Sequence, residues 1–173
     1  MTAPAKPAPS IWFEDFTVGE TLEMGSRLVD RDEVIASTAN CGTVALKVIA
    51  FATAFDPQPF HVDEAAAKAS MFGGLIASGW HTVSMVMRMM CDSYLLDSAS
   101  LGSPGVDNVR WVKPVRPGDT IRATRTILEK RQSKSKPEVG IVKSRWDVRN
   151  QDDDLVMTME GMGMFSVRNP DAA

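Results

Sequence analysis

Cysteine and histidine are scarce in this 173-residue chain: Cys41 and Cys91, His61 and His81, and no others. Two thiols cannot build a disulfide framework for a chain of this length, and they fit a reducing compartment. Two histidines without a cysteine cluster offer no metal-ligand spacing, so no metal is expected. Long apolar runs are missing as well. No stretch approaches the roughly 18 uncharged apolar residues that a membrane span requires. Nor is there an excess of positive charge, since Lys plus Arg number 19 against 22 Asp plus Glu, a formal charge of −3. That balance argues against nucleic acid as a partner, while leaving room for a local basic patch that meets a phosphorylated small molecule. Met1 to Pro9 is rich in Ala and Pro with one Lys, which is not the pattern of a secretory signal. These absences together describe a soluble, cytoplasmic protein that binds neither membrane nor nucleic acid.

What is present suits one domain: 44% hydrophobic and 24% charged residues over a length that can bury a core. Residues 1–10 are expected to be a disordered arm, their prolines and small residues having nothing to bury. Thr21 to about Val29 reads as a strand. Thr43 is a candidate N-cap for a helix over Val44 to Phe55, in which Val44, Val48, Phe51 and Phe55 share one face. Pro57 and Pro59 end it. Asp63 caps a short helix, Glu64 to Ala69. From Gly79 to about Leu96 there is no Pro and no internal Gly, and a helix this apolar around its circumference is usually buried. After Gly105 the period changes to two, with candidate strands over Val106–Val112, Thr120–Lys130, Val139–Val148 and Leu155–Val167. An early strand, a buried helix and a four-strand antiparallel run make an α+β domain, a sheet wrapped on a central helix.

Two segments carry candidate chemistry. In Phe55-Asp56-Pro57-Gln58-Pro59-Phe60-His61 an acid and a base lie five residues apart, and the prolines between them predict a stiff, partly extended link. Rigid placement of Asp56 and His61 across a small gap is what general acid–base work on a water requires. An Asp before Pro is also a common turn device, and a lone His is often structural. The second segment, Gly73-Gly74-Leu75-Ile76-Ala77-Ser78-Gly79-Trp80-His81, enters the buried helix. A Gly79 N–H free at that N-terminus would face outward on the positive end of the helix dipole and could meet an oxyanion. Gly79 could equally serve only a tight helix entry.

The run from Phe51 to Thr82 resembles the hydratase motif of MaoC-like dehydratases and R-specific enoyl-CoA hydratases. That motif reads Gly-Asp-x-Asn-Pro-Leu-His, then an acidic residue, then a Gly opening the central helix. Val109 to Asp119 is similar to the family's strand and Pro-Gly-Asp turn, and the likeness covers residues 11 to 168. Phe55, Gln58 and Phe60 depart from the family's Gly, Asn and Leu, and Ser78 stands where a His commonly precedes the helix Gly. The stretch from Ser37 to Ala50 looks longer than the usual link into the helix.

The resemblance implies a single hot-dog domain over residues 11–173. It implies addition of water to a trans-2-enoyl-CoA, giving the (R)-3-hydroxyacyl-CoA, or the reverse. Asp56 and His61 would be the catalytic pair, with Gly79, Ser78, Ser84 and Gln58 as oxyanion or substrate-binding residues. No cofactor is implied beyond the coenzyme A thioester itself, and a homodimer or a multiple of one is expected. Arg110, Lys113 and Arg116 are candidates for the CoA phosphates, though such residues are ordinarily only solvated. A thioesterase on the same fold usually carries an acidic residue on the central helix, which Gly79 to Cys91 lacks. A non-catalytic acyl-CoA-binding module would not need both Asp56 and His61.

Overall fold

Side chains on a strand alternate between faces. In the computed structural model, which describes residues 8–29 and 48–170, that alternation becomes one five-stranded sheet. The strands are β1 (Thr21–Leu28), β2 (Ser100–Trp111), β3 (Thr120–Gln132), β4 (Val139–Arg149) and β5 (Leu155–Ser166). Their order across the sheet is β1-β3-β4-β5-β2, and every neighbouring pair is antiparallel. On β4 every second residue from Gly140 to Val148 is buried, and on β3 the same holds from Ile121 to Ile127. Register brings Ile127 opposite Ser144 and Trp146 opposite Met159. β1 bulges between Glu23 and Ser26, where Gly25 takes a φ of 80° that a side chain would resist.

The helices are α1 (Val48–Phe55), α2 (Pro59–Val62), α3 (Glu64–Ala69) and α4 (Gly79–Met90), the last continuing into a single π-type turn, Cys91–Leu95. Met85, Val86 and Met89 of α4 are almost wholly buried and join Ile121, Ile127, Val142, Val148 and Met157 of the sheet in one core. The methionine run is therefore largely core, with Met87 left exposed.

Several expectations shift. β2 starts at Ser100, six residues before the expected Val106, because Gly102 and Gly105 interrupt the alternation and break the register. The α-helical part of the central helix ends at Met90. α2 was not expected: Pro59 occupies its first turn, where a missing N–H costs nothing. The link from Asp56 to His61 is thus extended only as far as Gln58. At the other end of the chain Ser10 donates its N–H to Asp97 O at 2.8 Å, so it is anchored, not part of a free arm. The rest of the expected arm up to residue 7, the Thr43 cap, the start of the helix expected from Val44 and most of the long link after Ser37 lie outside the described residues.

Gly140 illustrates how closely the amino-terminal segment lies on the sheet. A Cβ there would overlap the Phe13 ring and lie 2.7 Å even from Phe13 Cβ. Gly140→Ala should therefore destabilise the fold by about 1–3 kcal/mol. In a thermal melt this is a drop of roughly 2–12 °C, and an unchanged midpoint would show that the Phe13 segment is free to move away.

Candidate active site

The site is assembled from three short elements, each stopped by its own sequence. α1 ends at Phe55, and Asp56 follows with its N–H still bonded to Ala52 O at 2.8 Å. The turn of α2 then lifts His61 back toward Asp56. Ser78 caps α4, its Oγ accepting the Trp80 N–H at 3.3 Å, and the same hydroxyl donates to Asp56 Oδ2 at 2.7 Å. One hydroxyl can do both because it carries a donor and two acceptor positions.

Asp56 is held at both oxygens. Ser78 serves Oδ2, and the Gln58 amide donates to Oδ1 at 2.8 Å. The Ser78 hydrogen bond is the main reason its carboxyl lies below the ordinary Asp value. Burial opposes this, while Gln58 and the neighbouring His61 ring reinforce it. Asp56 is therefore a carboxylate at neutral pH.

His61 is buried, and its Nδ1 lies 2.9 Å from the Ile76 carbonyl oxygen. A carbonyl only accepts, so Nδ1 carries a proton, and in the neutral form of the ring Nε2 is the basic nitrogen. That Nε2 faces Asp56 Oδ2 across 3.4 Å. The carboxylate and the basic nitrogen, two acceptors side by side, share a polar end of a cleft of about 440 Å³, otherwise walled by Phe60, Phe72, Trp80, Trp111 and Val112. Such a pair favours a proton-bearing guest in front of it, within reach of both acceptors.

Gly79 opens α4 on the same cleft. Its N–H has no partner among the described residues, as expected in a first helical turn. Trp111 explains why this position is Gly: a Cβ would come 2.6 Å from its indole Nε1. Trp111 packs edge-on against Trp80, with ring centroids 5.7 Å apart.

The structure brings together Asp56, His61, Gly79, Gln58 and Ser78, but not in one kind of role. Ser78 is fully buried, and it and Gln58 act on Asp56. Ser84 does not join them. Its hydroxyl donates to the Trp80 carbonyl at 2.9 Å, and it lines a different cavity further along α4. The reason is helical geometry: a serine can close back on the carbonyl four residues earlier. Among the basic candidates, Arg116 donates to Phe72 O at 2.6 Å and Lys113 pairs with Asp154 at 2.7 Å. His81 is buried and stacked on Phe51, ring centroids 4.9 Å apart. Asp153 pairs with Arg122 and Arg149 at the β4–β5 turn. Nothing in the linear sequence marks Trp111 as a wall of the site, or the Ile76 carbonyl as the group that orients His61. Both depend on contacts between segments distant along the chain.

An antiparallel sheet wrapped on α4, with Asp56 and His61 beside the amino terminus of that helix, is the arrangement of a hot-dog fold. The chain belongs to the family of the MaoC-like domain, whose model matches residues 30–148. It is similar to the solved MaoC-like dehydratase of Rhodospirillum rubrum, with 35% identity, a TM-score of 0.77, and coverage of 92% of this chain and 99% of that one. An uncharacterized protein of Bacillus subtilis, YdeM, is 26% identical over 80% of this chain and 86% of its own length. The 3-hydroxyacyl-thioester dehydratase Z of Mycobacterium tuberculosis is 34% identical over 42% of this chain and 49% of its own. No helix among the described residues is long and apolar enough to cross a membrane.

Proposed function

We propose that this protein is an enoyl-CoA hydratase, interconverting a trans-2-enoyl-CoA and the (R)-3-hydroxyacyl-CoA with Asp56 and His61 as its catalytic pair. The observation that carries the reading is the 3.4 Å approach of a Ser78-bound carboxylate to an imidazole whose tautomer is set by Ile76. One water donates its two hydrogens to Asp56 and His61 Nε2. Its oxygen attacks C3 as one of the pair takes a proton, the thioester carbonyl gathers negative charge as an enolate, and the Gly79 N–H meets that oxygen. A proton returned from the pair to C2 completes the addition, so the water's hydroxyl and one hydrogen end on adjacent carbons. No charge is left on the protein. The low-dielectric wall of aromatic side chains strengthens each of these interactions.

Crotonyl-CoA tests the reading. Loss of enoyl-thioester absorbance with (R)-3-hydroxybutyryl-CoA as product is expected, without release of free thiol. Thiol release in place of hydration would make the protein a thioesterase.

Ser78→Ala removes the largest influence holding Asp56 below the usual carboxylate range. Its pKa should rise, and since hydration needs the carboxylate, the acidic limb of the kcat/KM profile should move to higher pH. The same linkage applies to folding. Ionised Asp56 contributes stability above the unfolded Asp pKa, and that contribution is lost as pH falls through its depressed folded value. An acidic limb left in place by Ser78→Ala would detach Asp56 from the rate.

We further propose a homodimer built through β2. Among the described residues this strand has only β5 as a neighbour, and it exposes Leu101, Val106 and Trp111, each about half accessible. Sedimentation of the full chain at twice the monomer mass is the expected result, and a monomer would contradict it.

A further inference from the structure

On the hydratase reading, on which this inference rests, the cleft fixes the course of an acyl chain. The thioester carbonyl, C1, meets the Gly79 N–H, and C3 lies in front of Asp56 and His61. Atoms beyond C3 therefore run past the acid–base pair, away from Gly79. The walls beside the pair are two rings. Phe60 packs edge-on against the His61 ring, centroids 4.5 Å apart. Phe72 is tilted by 55° from Phe60, with centroids 5.2 Å apart. Both rings line the cleft and both are half-buried. Trp80 and Trp111 stand at the Gly79 end instead, each about half exposed.

Both rings are held through their backbones. Phe60 sits in α2, and its carbonyl accepts the Ile76 N–H at 3.3 Å. The Phe72 carbonyl accepts from the Arg116 guanidinium at 2.6 Å, and the Phe72 N–H donates to Ser70 Oγ at 3.2 Å. Aromatic rings prefer tilted or edge-to-face contacts, and a tilted pair offers a third ring a face and an edge at once. A flexible alkyl chain is better met by adaptable side chains such as methionine. The chain has 11 methionines, yet none of the described ones lines this cleft. We propose that Phe60 and Phe72 form a subsite for an aryl group on C3, so that the substrate is an enoyl thioester of the cinnamoyl type or its 3-hydroxy counterpart.

The probes are 3-phenylpropionyl-CoA and 3-cyclohexylpropionyl-CoA, which carry rings of like size on the same atom. Neither has the double bond that hydration needs, so titration calorimetry on the full chain reads binding alone. The wild type should bind the phenyl compound about tenfold more tightly, because ring contacts add to what burial gives. Phe72→Leu should reduce that ratio to about threefold while leaving the cyclohexyl affinity within about twofold, and Phe60→Leu should do the same. Equal affinities in the wild type would overturn the proposal. So would failure of both probes to bind, a ratio unchanged in both variants, or variants that weaken both probes alike. Crotonyl-CoA hydration by the same wild-type preparation keeps the two readings apart. Hydration with equal affinities removes the aryl subsite alone, and a phenyl preference without hydration removes the hydratase reading alone.

Discussion

Asp56→Asn should lower kcat for crotonyl-CoA hydration by about three orders of magnitude, and His61→Gln by a similar factor. Positioned proton transfer is worth about 10²–10⁴ in rate, and the geometry points toward the upper part of that range. Asp56 now accepts from Ser78 at one oxygen and from Gln58 at the other. An Asn has one oxygen for two donors, so its amide must turn an N–H toward one of them and the site loses both its negative charge and its alignment. His61→Gln keeps most of the buried volume but removes the nitrogen base facing the cleft. Because the pair acts on one water, the double variant should be little slower than either single one, since residues acting as a unit are strongly non-additive. Additive losses would mean that Asp56 and His61 serve separate steps.

Gly79→Ala is the second large effect. The added methyl would meet the Trp111 ring, with Nε1 at 2.6 Å and Cδ2 at 2.8 Å. Either Trp111 swings into the cleft or the start of α4 shifts, and both displace the N–H from the position a developing oxyanion would occupy. Loss of one such donor costs about 10²–10³ in kcat. Helix propensity pulls the other way, since Ala is the better helix former. The melting temperature should therefore fall far less than the activity. Pairing the substitution with Trp111→Ala should recover at least about tenfold of the lost rate, as the clash is then removed. No recovery would mean that the methyl itself blocks the site.

These effects rest on features of differing legibility. The alternation Val142, Ser144, Trp146, Val148 was enough to place β4 with one covered face, and the structure buries all four. The stretch after Gly79, rich in apolar residues and without Pro or internal Gly, likewise announced the central helix. β2 was read short because Gly102 and Gly105 supply no side chain to the pattern. The turn of α2 was hidden by its own prolines, which read as breakers although Pro59 is a favoured first helical residue. Asp56, His61 and Gly79 stood out through their motif. The division of labour around them did not: that Ser78 and Gln58 serve Asp56 is a matter of tertiary distance.

The most direct test of the central claim is the loss of enoyl-thioester absorbance with crotonyl-CoA, measured side by side for the wild type and Asp56→Asn. The account predicts hydration by the wild type and a rate about a thousandfold lower in the variant, with its fold intact by circular dichroism. Equal rates in the two proteins would contradict it.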